Sequence, residues 1–304
     1  MQRYVRVSVV QAMPDYFNKE GCLEKVVSLT KDAAATGAKI VFLPESFIPG
    51  YPDIFNYGLK DTQFSDEWKS LYQLYFDNSI SDDGPEVYRL SQIAAENQIY
   101  LVIGITERDK ARLYCSTLFF GPDGSLLGKH RKLKPTGFEQ LLWSEGDDEL
   151  LAVIKTPYGH MGSAICWENY MPLLRAAMYS KSVGLYVTPT ADCSPHWQST
   201  IQHIALEGRC FVISCNNYLN VDMLKNDSFK KYFLPHNENS RYQRGGSAII
   251  SPTGEYLAGP LFDEEGILTV DLDLEQIYES RYDFDPLQLV IPNDFKEICK
   301  KSVY

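Results

Sequence analysis

Apolar and polar positions recur along this chain with two periods, and the switches between them predict its elements. Tyr4-Val5-Arg6-Val7-Ser8-Val9-Val10 alternates and reads as a strand. From Asn18 to Thr36 the apolar residues Leu23, Val26, Val27, Leu29, Ala33 and Ala34 fall at helical spacing, and Gly37 ends the helix. Lys39-Ile40-Val41-Phe42-Leu43 is a second, buried strand. A strand–helix–strand opening implies parallel pairing through a right-handed crossover. Residues 44–52 form an irregular loop, and the aromatic and polar stretch 53–83 contains a helix over 68–76. Gly84-Pro85 starts another helix, to Asn97. Strands follow at 99–106 and 113–120, and a Gly121-Pro122-Asp123-Gly124 turn leads to a returning strand over 125–130.

The second half repeats this alternation. Strands are expected at 150–155, 160–165, 184–188 and 210–215, with a helix over 195–208. The polar connection 217–241 reads as a surface excursion or a lid. Segments 245–251, 255–258 and 266–272 make a final antiparallel set, and 274–282 is a last helix. No Pro/Ser linker, charge block or low-complexity tract divides the chain. One domain over 1–286 with a short tail, 287–304, is the simplest organisation, although the strand–helix–strand units in both halves hint at an internal duplication.

Composition narrows the setting. With 304 residues, 44% hydrophobic and 23% charged, the chain can bury a large core. A net charge of −11 argues against nucleic acid or an anionic membrane as a partner. No run is apolar enough to span a bilayer, and no cleavable leader is expected. The 7 cysteines are odd in number and scattered, which suggests reduced thiols in a cytoplasm.

One stretch concentrates the chemistry. The apolar run Gly159–Ile165 arrives like a buried strand and ends at Cys166. Pro172 then suits the first turn of a helix. A thiol in a strand–turn–helix junction is expected to face the positive end of the helix, which favours thiolate. Two more apolar strands run into reactive side chains, Val41-Phe42-Leu43 into Glu45 and Leu126-Leu127-Gly128 into Lys132. Each alone is usually a solvated charge, and a lone Cys is usually core. Together they have a logic. Lys132 would lower the thiol pKa and hold a charged tetrahedral centre, and Glu45 would move protons with a pKa raised by burial. His203, Cys210 and Cys215 lack zinc-ligand spacing, so no metal is expected.

Leu43-Pro44-Glu45-Ser46-Phe47, His130-Arg131-Lys132-Leu133-Lys134-Pro135-Thr136 and Ile165-Cys166-Trp167-Glu168-Asn169-Tyr170-Met171-Pro172 resemble the nitrilase family of carbon–nitrogen hydrolases. The likeness continues through 203–212 and 246–250 and covers roughly residues 4–286 in order. It implies an α/β four-layer α-β-β-α sandwich, doubled to αββα-αββα in a homodimer or built into a larger oligomer. It implies a Glu45-Lys132-Cys166 triad, with Glu139 as a second glutamate that positions the lysine. It implies a thioimidate and then a thioester on Cys166, with charge held by Lys132 and the Trp167 N–H, and no metal or organic cofactor. The small-molecule substrate would be an organic nitrile. An amidase or a cyanide-acting relative would use the same triad, and a silent binding protein on this fold is disfavoured by the intact triad. Trp167, Tyr170 and Tyr51 are candidate pocket walls, as are His196 and Trp197 beyond the strand ending near Thr188. The sequence departs from the family at Glu139-Gln140, at Trp143–Asp148 and after Pro286, where the short tail points to a plain dimer or short oligomer.

Overall fold

The computed structural model describes residues 2–57, 65–147, 151–233 and 241–286. The first half runs β1 (Tyr4–Gln11), α1 (Lys19–Ala35), β2 (Ile40–Phe42), α2 (Ile54–Tyr57), α3 (Asp66–Asn78), α4 (Pro85–Asn97), β3 (Tyr100–Asp109), β4 (Arg112–Phe120) and β5 (Leu126–Arg131). The second half runs β6 (Val153–Thr156), β7 (Gly159–Ser163), α5 (Pro172–Ser180), β8 (Val183–Thr190), α6 (Pro195–Gly208), β9 (Phe211–Asn216), β10 (Tyr218–Asn220), β11 (Arg241–Ile250), β12 (Tyr256–Phe262), β13 (Gly266–Asp273) and α7 (Glu275–Ser280). Part of the polar connection expected over 217–241 is ordered as β10 and two 3-10 turns, while 234–240 and the tail 287–304 lie outside the described residues.

Two sheets result. The first has the order β13-β1-β2-β3-β4-β5. Its β1–β2 pair is parallel, Val7 opposite Ile40, as the strand–helix–strand opening predicts. β13 returns from the far end of the chain to pair antiparallel along all of β1, Tyr4 opposite Asp273. The second sheet has the order β10-β11-β9-β8-β7-β6, with β12 also on β11.

Strand periodicity sorts side chains into layers. Val5, Val7, Val9, Ile40 and Phe42 point between the sheets and meet Met161, Leu185, Val187, Phe211 and Ile213 from the second sheet. On the opposite face of the first sheet, Val41 and Leu101 pack with Leu23 and Val26 of α1 and Leu90 and Ile93 of α4. α5 and α6 cover the second sheet through Leu174, Met178, Trp197, Ile201 and Ile204. The architecture is a four-layer α-β-β-α sandwich. At one end, beyond the last residues of β2, β5, β7 and β8, the loops gather under an aromatic cover that includes Tyr16, Phe17, Tyr51, Phe55, Trp68 and Phe229.

Candidate active site

Glu45 lies in the loop after β2, pressed against β3. Gly104 of β3 makes that approach possible, since a Cβ there would stand 2.2 Å from the Pro44 carbonyl oxygen and 2.7 Å from Glu45 Cα. Lys132 follows β5 directly; its N–H donates to the Cys115 carbonyl at 2.8 Å and its carbonyl accepts from Gly146 at 2.9 Å. Glu139 sits in a 3-10 turn, Gly137–Leu141, and accepts from the Thr136 N–H at 2.6 Å. Cys166 follows β7 with φ of 51°, a left-handed conformation uncommon outside glycine.

These four residues converge. Lys132 Nζ donates to Glu45 Oε1 at 2.8 Å and to the two oxygens of Glu139 at 2.9 and 2.8 Å. Those contacts match the three donors of an ammonium. Glu45 Oε2 accepts from the Ala191 N–H at 2.9 Å, and its Oε1 also receives the Cys115 thiol at 3.5 Å. Tyr51 donates its hydroxyl to Glu139 Oε1 at 2.7 Å. Thr190 Oγ1 donates to Cys166 Sγ at 3.2 Å. Glu45, Lys132, Glu139 and Cys166 are all buried.

A further carboxylate ties the lysine and cysteine segments together. Glu168 accepts from the Ile165 N–H at 2.6 Å on the cysteine side and from the Leu133 N–H at 2.7 Å on the lysine side. Its Oε2 also lies 2.9 Å from Nε2 of His130, at the end of β5. Asn169 Nδ2 holds the Cys166 carbonyl at 2.8 Å and Thr188 Oγ1 at 2.8 Å.

Burial and charge set the proton positions. Burial pushes the Glu45 carboxyl up to about 7, against the pull of Lys132 and with the help of Glu139. Burial opposes the Lys132 charge, but Glu45, Cys166 and Glu139 together raise it well above its ordinary value. The Cys166 thiol moves opposite to the sequence expectation. Burial first and Glu45 second raise it, and Lys132 does not compensate. The helix end is also not at the sulfur, because a 3-10 turn, Cys166–Tyr170, intervenes before α5 begins at Pro172. The resting site therefore holds a thiol, an ammonium and a carboxyl group poised near neutrality.

A cavity of about 400 Å³ opens onto Cys166 and Glu139, walled by Tyr51, Phe138, Trp167, Cys193 and Tyr242. Of the wall residues expected from sequence, Tyr51 and Trp167 line it, and Trp167 Nε1 donates to Asp192 Oδ2 at 2.9 Å. Tyr170 points away, bonded to Thr200 at 3.0 Å, and His196 is exposed at the start of α6. Trp197 is fully buried in the helical layer with its indole on Ser214 at 2.9 Å. A larger hollow of about 730 Å³ lies between Lys155–His160 and α7, lined by none of the four converging residues. Among the described residues no cluster of His, Cys, Asp and Glu could hold a metal ion.

Thr190, Ala191 and Asp53 were not singled out from sequence. The first two stand where β8 ends, and functional groups in such sheets gather beyond strand ends.

A four-layer sandwich with a buried acid, amine and thiol gathered at one end is the arrangement that the sequence resemblance to carbon–nitrogen hydrolases implies. The family model for carbon-nitrogen hydrolase matches residues 6–282, and the chain belongs to that family. Its relatives put it on the nitrilase branch. It is 44% identical to Nitrilase 2 of Arabidopsis thaliana over 284 residues, covering 92% of this chain and 84% of that one. It is also 44% identical to a bifunctional nitrilase/nitrile hydratase of Lupinus angustifolius over 288 residues, 92% and 81% of the two chains. The fold matches the crystal structure of a carbon-nitrogen hydrolase from Helicobacter pylori G27 with a TM-score of 0.73 at 22% identity, covering 96% and 98%.

Proposed function

We propose that this enzyme hydrolyses an organic nitrile to the carboxylic acid and ammonia through covalent intermediates on Cys166. The observation that carries the reading is the buried Glu45–Lys132–Glu139 chain beside the Cys166 thiol, in a chain 44% identical to a named nitrilase. Glu45 as carboxylate takes the thiol proton while Sγ adds to the nitrile carbon, and the proton passes to the nitrogen of the thioimidate. Glu45 then activates water, ammonia leaves, and a thioester remains. A second water releases the acid and restores the thiol. Lys132 and the Trp167 N–H hold the negative charge of each tetrahedral species. Lys132 reaches that charge by loosening one of its two contacts to Glu139, and the other keeps it in place.

Expulsion of Cys166 from the first tetrahedral species would instead give an amide, and the relative named as bifunctional supports measuring it. The test is quantification of ammonia, acid and amide from a panel of nitriles, with matching amides in parallel. Acid and ammonia from nitriles alone support the reading, and turnover of amides alone overturns it. Cys166→Ala should reduce turnover by at least about 1,000-fold, with melting close to wild type.

The enzyme is read as a homodimer in the cytoplasm, one domain over 1–286 followed by the tail 287–304. Among the described residues no helix is long and apolar enough to cross a membrane. Trp167, Tyr170 and Leu173 are each about half exposed and form an apolar face fit for a second copy. Tyr51 and Trp167 are the proposed substrate walls, and Tyr170, His196 and Trp197 would act only through them.

A further inference from the structure

One carboxylate in the wall of the Cys166 cavity has no task in the reaction above. Asp53 follows Pro52 in the loop after β2, lines the cavity and is only 6% exposed. Its Oδ2 has no hydrogen-bond partner, and no described cation pairs with it. Gln243 of β11, which lines the same cavity, is the polar group beside it: its amide lowers the Asp53 pKa, yet Nε2 stands outside hydrogen-bond geometry. Buried carboxylates are ordinarily paired with a cation or saturated with donors, because an unpaired one is expensive to desolvate.

The surroundings sharpen the anomaly. The described cavity lining includes three acids, Asp53, Glu139 and Asp192, and no Lys, Arg or His. Glu139 is satisfied by Lys132, Tyr51 and Thr136. Asp192 is satisfied by the Trp167 indole and the Ser194 N–H. Asp53 has only the neutral Gln243 amide beside it and, among the described residues, no cation. Burial, and then Glu45, pushes it well above the usual carboxylate range, and Gln243 eases it only in part. The missing counter-charge is one that a ligand can bring.

We propose that Asp53 selects nitriles bearing a primary amine, whose ammonium pairs with Oδ2 while the nitrile carbon reaches Cys166. This deepens the nitrile reading and rests on it. An ionised Asp53 meets the ammonium directly, or a protonated Asp53 passes its proton to the neutral amine; both routes give the same ion pair. Tyr51, Phe138 and Tyr242 supply apolar surface for the connecting methylenes. A purely alkyl nitrile of the same length forms no ion pair with Asp53, and that difference is the basis of discrimination.

The experiment compares kcat/KM for an ω-aminonitrile and the alkyl nitrile with the same number of heavy atoms. The wild type should favour the amine by about tenfold or more. Asp53→Asn should bring the ratio near one, and Asp53→Glu should keep a preference. A wild-type ratio near one overturns the proposal whether or not the variants fold, and so does a ratio unchanged in Asp53→Asn. A second arm needs no nitrile turnover. n-Butylammonium should slow alkylation of Cys166 by iodoacetamide in the wild type and not in Asp53→Asn, while n-butanol should protect neither. Equal protection by the two probes in the wild type overturns the Asp53 assignment. If neither nitrile is hydrolysed, amine selection among nitriles fails, the full nitrile and amide panel decides the nitrile reading, and the protection arm still decides whether Asp53 binds an ammonium.

Discussion

Arg131 and Lys132 are neighbours in sequence, and each is joined to buried carboxylates, yet the two clusters behave in opposite ways. On one side Glu107 of β3 is met by Arg131, Lys129 and the Ser116 hydroxyl. Burial works against its charge, but those partners hold the carboxyl below its ordinary value. On the other side Glu45 and Glu139 share the single cation Lys132, and Glu45 is pushed up to about 7. Glu107 meets two cations at once, which Asp82 and Asp109 share only from the more exposed side, and it is locked as an anion and serves as an anchor. Two acids with one cation leave a proton undecided, which is what a group that must both take and give protons requires.

The comparison can be broken from either side. The largest effect is expected for Glu139→Gln, which lets Lys132 settle on Glu45 alone. Turnover should fall about 100-fold. Because Glu139 raises the Glu45 pKa, its removal should lower it. The acid limb of the pH–rate profile, expected near pH 7 in the wild type as Glu45 ionises, should move to lower pH. An acid limb that stays in place would show that Glu45 is not the group that titrates.

Glu107→Gln strikes the matched cluster. It leaves Arg131 and Lys129 without their buried partner and should lower stability by about 3 kcal/mol, read by chemical denaturation. Turnover per folded molecule should stay within a few-fold. A loss of turnover as deep as that of Glu139→Gln would erase the distinction between the clusters.

The smallest effect concerns Asp53. Its folded pKa lies above its unfolded value, so between those values the folded state holds the proton more tightly. Its contribution to stability is fully present below the unfolded pKa and is lost as pH rises through the folded one. The melting temperature of Asp53→Asn should therefore gain steadily on the wild type as pH rises above the unfolded pKa of an aspartate, about 4. A constant difference would mean that Asp53 does not titrate in the folded protein.

Much of this was legible in the chain. The period-two run at Tyr4–Val10 and the helical spacing that follows predicted the parallel β1–β2 pair, because local periodicity sets which face is buried. The pairing of β13 with β1 was not legible, since nothing local marks a partner some 265 residues away. Glu45, Lys132 and Cys166 stood out as reactive groups beyond strand ends, and they converge. The Ala191 N–H that holds Glu45 comes from 146 residues further on and leaves no sequence mark. Trp197 was misleading as a wall: with Ile201, Ile204, Ala205 and Gly208 it repeats at helical spacing and turns into the core. The thiol pKa was misjudged because sequence shows the approach of Lys132 but not the desolvation of Cys166.

Glu168 bridges the two sheets. Lys132 extends from the first sheet and Cys166 from the second, and this one side chain grips the backbone on both sides. The nucleophile and its ammonium thus belong to different layers and share a register only while the layers are docked. Turnover is then a gauge of tertiary assembly as well as of chemistry: any substitution that lets one sheet slip against the other should silence the enzyme before it unfolds either sheet.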